Sequence, residues 1–316
     1  MSLTPEPHRK KPIIAVVGPT ATGKTALGVA LAQWLNSEVV SADSQIIYRE
    51  LDIGTAKPTE EECQGVPHHM INVADPTEAF SAANYKNQAL AHLDRLWSFG
   101  KVPIVVGGTG FYVKALLQAE FIPNVSPDPA FRQTMNQLAE REGPVALHRL
   151  LAERDPLRAQ DLHPNDKVRI IRALEIIEAT GKPVPRESKD KGLAVAWLGL
   201  TYDDRDKLRT RIDQRIESMM AQGWLEEVEA LVARYGLDAH ALQVAHGYPE
   251  LVQVVSGQRS LEDALAQVRI NIHQYSRRQM TWFRRNPEIH WLLADQLGAG
   301  QLAAEGKQII NRLGLA

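Results

Sequence analysis

The most constraining feature of this sequence is an octapeptide near its start, Gly18-Pro19-Thr20-Ala21-Thr22-Gly23-Lys24-Thr25. It matches the phosphate-binding template of Gly, four residues and Gly-Lys-Thr at every fixed position. An apolar run at 13–17 precedes it and a helix-patterned segment at 26–35 follows it. Such a loop turns backbone N–H groups inward at a helix N-terminus, where Lys24 adds a positive charge. The octapeptide predicts a site for a di- or triphosphate, with the Thr25 hydroxyl placed to hold Mg²⁺.

The bulk composition is that of an ordinary soluble globular protein. The chain has 316 residues, 44% of them apolar and 23% charged, with a net charge of −2. Its single cysteine, Cys63, excludes an intramolecular disulfide framework and fits a reducing cytoplasm. No apolar run approaches the ~20 residues that span a bilayer, and the N-terminus lacks the apolar segment of a signal peptide. We therefore expect a cytoplasmic protein without membrane contact, and nothing requires a protein partner or more than a monomer.

Strand-like and helix-like segments alternate in the first third of the chain. Apolar, strand-like runs at 38–41, 70–73 and 103–108 are separated by loops and by a helical pattern at 83–97. Such alternation predicts an α/β fold, a P-loop-type parallel sheet core covered by helices on both faces. Ligands gather at the carboxyl ends of such strands. Three loops are expected to meet there, at 18–25, 41–45 and 107–110.

The character of the sequence changes near residue 118. Strand-like runs stop, and helical periodicity dominates until a new strand-like run at 194–200. We therefore predict a catalytic core at 1–117 and 195–316, interrupted by a mostly helical insertion domain at 118–194. The rest of the core is expected to contain helices at 205–221, 225–234 and 261–284 and an edge strand at 289–293.

One carboxylate is well placed above the phosphate loop. Asp43 directly follows the second predicted strand, so its side chain should face the same crevice. A P-loop ATPase carries a Walker-B aspartate after a later apolar strand, but the run at 104–106 ends in Gly-Gly-Thr-Gly. This difference argues against a motor or a GTPase. Asp43 is either a catalytic group or the cap of its own turn, and the adjacent phosphate site favours catalysis.

Further residues and one basic segment are candidates for binding anions, each with a structural alternative. Thr109 lies in a glycine-rich turn that opens a helix, a setting suited to anions. Arg215 follows Arg211 by one helical turn, so both can share a face, although such arginines more often lie on the surface. The segment 268–285 has no acidic residue, and its five arginines are interleaved with Tyr275, Trp282 and Phe283. It suits a phosphate backbone with unstacked bases, or an amphipathic helix with solvated arginines.

Short motifs spread from about residue 13 to residue 293 form one pattern. Besides the phosphate loop they are Asp43-Ser44-Gln45-Ile46-Ile47-Tyr48, Asp52-Ile53-Gly54-Thr55-Ala56-Lys57-Pro58, His68-His69, Gly107-Gly108-Thr109-Gly110-Phe111-Tyr112, His163-Pro164-Asn165-Asp166, Arg172-Ala173-Leu174-Glu175, Gly247-Tyr248 and Arg278-Gln279-Met280-Thr281-Trp282. Together they resemble the tRNA dimethylallyltransferase family. The run at 52–58 is far more specific than the phosphate loop alone.

The resemblance implies transfer of a dimethylallyl group from dimethylallyl diphosphate to the exocyclic N6 amine of the adenine just 3′ of a tRNA anticodon. The phosphate loop would then hold the donor's diphosphate and not ATP. By the family pattern, Asp43 is the general base for this weakly nucleophilic amine. Positive charge on the leaving diphosphate would come from Lys24, Mg²⁺ bound to Thr25, and Arg215, with Thr109 as a further contact.

The resemblance also implies an interface with the tRNA anticodon stem-loop. The adenine must flip out of its stack to reach a buried carboxylate. Ser44 and Gln45 would recognise it, since a glutamine amide matches the donor and acceptor of adenine. The insertion would grip the anticodon arm. The full set of implied tRNA contacts is Asp43, Ser44, Gln45, Ile46, Thr109, Arg132, Arg169, Arg172, Gly247, Arg277, Arg278, Gln279 and Arg284.

Three positions depart from the family pattern, and other functions stay open. Asn72 stands where the family has Asp, Phe80 where it has Tyr, and Pro249 where Arg or Lys is common. The first two are expected to affect packing, whereas Pro249 removes a charge and an N–H from a loop near RNA. The alternatives are a prenyltransferase acting on free adenine nucleotides, a P-loop small-molecule kinase, and an RNA-binding protein without transferase chemistry. The helical insertion and the basic C-terminal helix favour tRNA.

Overall fold

The structure is a computed structural model that describes residues 10–117, 125–185 and 192–316. The chain divides into two compact units, one formed by Met1–Gln118 and Asp190–Ala316 and the other by Ala119–Lys189. The predicted start of the insertion at 118 lies outside the described residues. Its predicted end at 194 is wrong, because Leu193 and Ala194 pair with the first strand of the core and lengthen the strand that follows the insertion.

One parallel sheet forms the centre of the first unit. Its strands in the described residues are β1 (Lys11–Val17), β2 (Val39–Ser41), β3 (His68–His69), β4 (Ile104–Gly107), β5 (Leu193–Thr201) and β6 (His290–Leu293). Their order is β3-β2-β4-β1-β5-β6, and every neighbouring pair is parallel. The predicted α/β core is confirmed.

Helices of the first unit cover both faces of this sheet. In chain order, the helices of the described residues are α1 (Lys24–Trp34), α2 (Glu60–Cys63), α3 (Ala82–Ser98), α4 (Gly110–Leu117), α5 (Pro129–Glu142), α6 (Pro144–Arg154), α7 (Pro156–Asp161), α8 (Lys167–Thr180), α9 (Arg205–Ala221), α10 (Trp224–Tyr235), α11 (His240–Val244), α12 (Tyr248–Val255), α13 (Leu261–Phe283) and α14 (Ala299–Arg312). Across the described part of the chain, none of them has the length and apolar character that crossing a bilayer needs.

The pleat of the central strand explains why its sequence is apolar without interruption. In β1, Ile13, Ala15 and Val17 belong to one buried cluster. Ile14 and Val16 belong to another, which also contains residues of α1 and α14. Alternate side chains of a strand point to opposite faces, so a strand covered on both faces needs an apolar residue at every position.

The predicted strand at 70–73 is not a strand. The short strand β3 lies just before it, and Met70 and Asn72 have φ values of 63° and 57°. Left-handed backbone at alternate positions cannot continue a strand, although Asn adopts it more readily than most residues. The Asn72 side chain also accepts a hydrogen bond from Lys57 Nζ at 2.5 Å. Asn72 therefore contributes to the packing of a turn.

The second unit consists of α5, α6, α7 and α8 around a buried carboxylate. The Glu175 side chain is 2% exposed and accepts two hydrogen bonds from Arg132, at 2.8 and 3.0 Å. It also accepts one from Arg172 and one from the Asp128 N–H. Burial alone would raise the pKa of Glu175, but the hydrogen bonds from both arginines hold it at about 2.

The positions of the three predicted tRNA-binding arginines of this unit therefore differ. Arg132 and Arg172 are committed to Glu175, and Arg172 also donates to the Val125 carbonyl at 2.7 Å. Both arginines thus have a structural role, but their side chains are 41% and 31% exposed, so a contact of either with RNA stays a prediction. Arg169 has the most exposed side chain of the three, 3.4 Å from Asp166.

Replacement of Glu175 by alanine is expected to destabilise the second unit by about 1–3 kcal/mol, because it leaves the Asp128 N–H and two partly exposed arginines without their acceptor. The matched control is Glu178→Ala, which breaks an exposed pair with Arg154 and is expected to cost about 0–1 kcal/mol. Hydrogen exchange of α5 and α8 measures both. Equal protection in the two variants would contradict a stabilising role for Glu175. In the wild type, the stabilisation that ionised Glu175 gives to the second unit is fully present above pH 4.5 and is lost as the pH falls toward 2.

Candidate active site

The phosphate loop joins β1 to α1 through three residues with positive φ, namely Gly18 (142°), Ala21 (64°) and Gly23 (89°). A Cβ on Gly18 would collide with the carbonyl of Leu200, so the loop passes too close to β5 for any other residue. Helix α1 begins without a side-chain cap and without an acid in its first turn. Its first N–H groups are thus available to an anion, as the octapeptide predicts.

The loops after β2 and β4 are joined directly. Ser44 N–H donates to Thr109 Oγ1 at 2.9 Å, and Thr109 N–H donates to the Ala42 carbonyl at 3.1 Å. Gly107 lies so close to the same carbonyl that a Cβ would overlap it. The predicted meeting of these loops is therefore confirmed. The Thr109 hydroxyl bonds to Ser44 and holds that turn; its contact with a diphosphate stays a prediction.

Gln279 connects these loops to α13. Its Oε1 accepts from the Thr20 N–H of the phosphate loop at 2.9 Å, and its Nε2 donates to the Gly108 carbonyl at 2.9 Å. The residue is 4% exposed. Both ends of its amide are thus used inside the protein; Gln279 also lines the cavity described below, so its contact with RNA stays a prediction. Gln279 braces the phosphate loop.

One cavity at the carboxyl ends of the strands collects the charged candidates. Lys24, Thr25, Asp43 and Arg215 all line it, and Asp43 is the one acidic residue among the described residues of the lining. Burial lowers the pKa of Lys24 to about 8; the charge of Asp43 opposes this shift and that of Arg215 adds to it. Burial also lowers the pKa of Arg215, with Asp43 again acting in the opposite direction. A carboxylate, two basic side chains and an open helix N-terminus thus share one cavity.

One side of the cavity wall is apolar. Arg215 lies on the inner face of α9, whereas Arg211 one turn earlier is exposed, so the two do not share a role. The same face of α9 carries Ile212, Ile216 and Met219 into the wall, where Ile46, Ile71 and Ile272 complete it. The spacing of α9 residues at i, i+3, i+4 and i+7 is that of one helix face. A short hydrocarbon would fit beside the cations.

The specific motif at 52–58 forms another part of the wall. Its Gly54, Thr55, Ala56 and Pro58 line the cavity. The Glu227 carboxylate accepts hydrogen bonds from three successive N–H groups of the motif, those of residues 52, 53 and 54. Sequence reasoning missed Glu227, because nothing in α10 marks one glutamate as a partner of a loop about 175 residues earlier.

An aromatic pair borders the side of the cavity at Asp43 and Gln45. The rings of His246 and Tyr275 both line it, with centroids 4.1 Å apart. Burial raises the pKa of Tyr275, and its hydroxyl bonds to the side chains of Thr109 and Gln279. Tyr275 was expected as an aromatic of the basic segment 268–285, but neither residue was predicted in the cavity wall. The spacing of Ile272, Tyr275 and Gln279 on one face of α13 was the available signal.

The remaining predicted RNA contacts divide into exposed and buried groups. Arg277, Arg278 and Arg284 are exposed on α13 or at its end, and Arg278 lies 6.0 Å from the ring of Tyr275. Gly247 is buried against Trp224 at φ 87°, so it shapes a turn and has no exposed surface to offer. Pro249 lies in the first turn of α12, where its missing N–H would have no intrahelical partner.

The affinity for inorganic diphosphate is expected to fall as the pH rises above about 8. A bound diphosphate favours protonated Lys24, so binding must take up a proton once Lys24 is neutral in the free protein. Calorimetric titration from pH 7 to 10 at fixed Mg²⁺ measures this dependence. Lys24→Arg is the control for titration of the ligand itself, because arginine keeps its charge. Parallel curves for the two proteins would contradict a titrating Lys24.

Comparison with known proteins agrees with this geometry. The IPP transferase family model matches residues 46–286. The tRNA dimethylallyltransferase of Bacillus subtilis (strain 168) is 42% identical over 288 residues, which cover 90% of this chain and 91% of that protein. The tRNA dimethylallyltransferase of Symbiobacterium thermophilum is 43% identical over 287 residues, 90% of this chain and 89% of that protein.

Solved structures give the same result for the fold. The full-length tRNA isopentenylpyrophosphate transferase of Bacillus halodurans superposes with a TM-score of 0.72 and 37% identity, covering 96% of this chain and 97% of that one. A eukaryotic dimethylallyltransferase acting on tRNA superposes with a TM-score of 0.79 and 27% identity, covering 96% and 79%. With a family match over most of its length and relatives above 40% identity, this chain is a transferase and belongs to the IPP transferase family.

Proposed function

We propose that this protein transfers a dimethylallyl group from dimethylallyl diphosphate to the N6 amine of the adenine 3′-adjacent to the anticodon of a tRNA. The observation that supports this most strongly is the single cavity described above. It combines Lys24, Arg215 and the start of α1 with an apolar side of the wall, and Asp43 is the one carboxylate among its described lining residues. A ligand with a diphosphate head and a short hydrocarbon tail matches these surfaces, whereas the ribose and triphosphate of ATP have no use for an apolar wall.

In the proposed reaction, Asp43 removes a proton from the adenine amine as the bond from N6 to the prenyl C1 forms. The C1–O bond breaks at the same time, and the diphosphate leaves with the electron pair. Lys24, Arg215 and the N–H groups of the phosphate loop stabilise the charge that develops on it. Asp43 ends the reaction protonated, and its Oδ1 stays oriented by the Gln45 N–H at 2.9 Å.

Mg²⁺ is part of the proposal. The Thr25 hydroxyl lines the cavity, and it is an oxygen ligand of the kind that Mg²⁺ uses together with substrate phosphates and water. Among the residues described, no group of three or more His, Cys, Asp or Glu forms a metal cage. Thr25 would hold an ion brought in with the diphosphate. When bound, Mg²⁺ supplies charge neutralisation for the leaving group.

The test is product formation. The protein is incubated with Mg²⁺, dimethylallyl diphosphate and unmodified tRNA, and the digested RNA is searched for isopentenyladenosine. We expect that nucleoside at the position 3′ of the anticodon and none after incubation with AMP or ADP. Product on the free nucleotides but not on tRNA would support a nucleotide prenyltransferase instead. Consumption of ATP in the absence of RNA would favour the kinase.

If tRNA is the substrate, the exposed arginines of α13 are expected to contribute to its binding. Arg278→Ala is expected to weaken tRNA binding and to lower the slope of log K against log[salt] by about 1, since one phosphate contact is lost. Filter binding at several salt concentrations measures both. Arg312→Ala, an exposed arginine on α14, serves as the control. Binding that is unchanged by Arg278→Ala, or weakened equally by Arg312→Ala, would remove Arg278 from the interface.

A further inference from the structure

The Gln45 side chain is held in one orientation by a backbone group. Its carbonyl oxygen, Oε1, lies 3.2 Å from the backbone nitrogen of His246. A backbone N–H can only donate, so the amide must turn its oxygen toward His246 and its Nε2 away. Gln45 lines the cavity, and among the described residues Nε2 has no hydrogen-bond partner. Gln45 therefore presents hydrogen-bond donors to a ligand.

The group that orients Gln45 belongs to a tight turn. Tyr248 N–H donates to the Ala245 carbonyl at 3.2 Å, and Gly247 has φ 87° and ψ −21°. These are the marks of a type II turn from 245 to 248, with His246 at its second position. A Cβ on Gly247 would overlap the ring of Trp224, which is fully buried. The N–H of His246 is thus fixed by the turn and by the tryptophan behind it.

An acceptor lies beside this donor. Gln45 N–H donates to Asp43 Oδ1 at 2.9 Å, so the carboxylate and the amide belong to one turn and both line the cavity. An acceptor next to a donor is complementary to a base edge that offers a donor next to an acceptor. The amine of adenine has such a neighbour on either side, N1 or N7. Guanine and uracil would instead direct a carbonyl oxygen at Asp43.

We propose that the His246 N–H is a positioning group that fixes Gln45 as a donor, so that the site reads the ring nitrogen beside the reacting amine. This inference rests on the proposed function and adds to it the element that sets base selectivity. The His246 ring is not needed for it. The site would distinguish bases by which end of the Gln45 amide faces the cavity. A turn about 200 residues away in sequence determines that orientation.

The test uses base analogues in an anticodon stem-loop RNA. The target adenine is replaced by 1-deazaadenine or 7-deazaadenine, each of which keeps the amine and loses one ring nitrogen. For the wild type, one of the two analogues is expected to lower kcat/KM by about 10-fold, the cost of one unmade hydrogen bond to the base. The ratio of kcat/KM for adenine to that for this analogue is the readout, because a general loss of structure would not change it.

Three variants separate the N–H from the ring. His246→Ala keeps the N–H and is expected to keep the wild-type ratio. His246→Pro removes the N–H at a turn position that favours proline, after an Ala245 whose ψ of 135° suits the residue before one. Its ratio is expected to fall toward 1. Gln45→Glu still accepts from His246 but offers no donor, so its ratio is expected to be near 1 as well.

The following results would contradict the role of the His246 N–H. Equal efficiency of adenine and both analogues in the wild type, or the same ratio in His246→Pro as in His246→Ala, would overturn the inference. Should His246→Pro fail to fold, as judged by thermal unfolding and binding of inorganic diphosphate, Gln45→Glu decides alone, and a retained 10-fold ratio overturns the inference. Absence of prenylated adenine with the wild type would overturn the proposed function itself, which is a different result from prenylation without selectivity.

Discussion

Asp43→Asn is expected to slow prenyl transfer in a single turnover by about 10²–10⁴-fold, the usual contribution of a general base. Asparagine cannot take the proton of the adenine amine. It does keep an oxygen for the hydrogen bond from the Gln45 N–H, which is 2.9 Å long in the wild type. The geometry of the turn should thus survive while the chemistry is lost. Rapid quenching with excess enzyme over labelled stem-loop RNA measures the rate.

The control for Asp43 is binding. The affinities for inorganic diphosphate and for the stem-loop are measured on the same variant, and both are expected to stay within a few-fold of wild type. A loss of RNA binding as large as the loss of rate would make Asp43 a recognition residue. A rate reduced by less than about 10-fold would remove it from the role of base.

Arg215→Met is expected to slow the same single-turnover step by about 10²–10³-fold, comparable to the loss of one preorganised donor at a developing anion. Arg215 lies in the cavity with Lys24 and Asp43, where little water screens its charge. Methionine retains much of the length of the side chain and can pack against Ile212 and Ile216. The rate at saturating donor isolates the effect on the leaving group from weaker donor binding.

Arg211→Met is the matched control for Arg215. Arg211 lies one turn earlier on α9 and is exposed, so its loss is expected to leave the rate within about 2-fold, as is usual for a surface residue. Similar rates for the two variants would contradict the assignment of Arg215 to the diphosphate. Partial recovery in Arg215→Lys would further support a role of charge.

The elements that sequence reasoning located are those with strong local patterns. The phosphate loop, α9 at Arg205–Ala221 and the apolar strand β1 follow from a motif, a helical period and a buried run. The run at 70–73 is apolar at three of its four positions, but its backbone has positive φ at two positions. Sequence pattern does not show that Lys57 reaches Asn72 and favours a turn there.

The residues of the site could be predicted from the sequence where they belong to a motif. They could not be predicted where their role depends on contacts between residues far apart in the chain. Asp43 and Lys24 followed from their positions after strands. Arg132 resembled a free basic residue because its partner Glu175 is 43 residues away. In the same way, Gln279 on α13 is bonded to a loop more than 250 residues earlier. Hydrophobic period and charge pattern contain no information on such pairs.

The central claim is that the phosphate loop binds a prenyl diphosphate and not ATP. The most direct test is calorimetric titration with Mg²⁺ and a thiolo analogue of dimethylallyl diphosphate that cannot react, alongside ATP and ADP, for the wild type and Lys24→Ala. We expect the analogue to bind at least about 10-fold more tightly than either nucleotide, a difference of about 1.4 kcal/mol, and Lys24→Ala to lose most of this affinity. Tighter binding of ATP, with the analogue unable to displace it, would contradict the account.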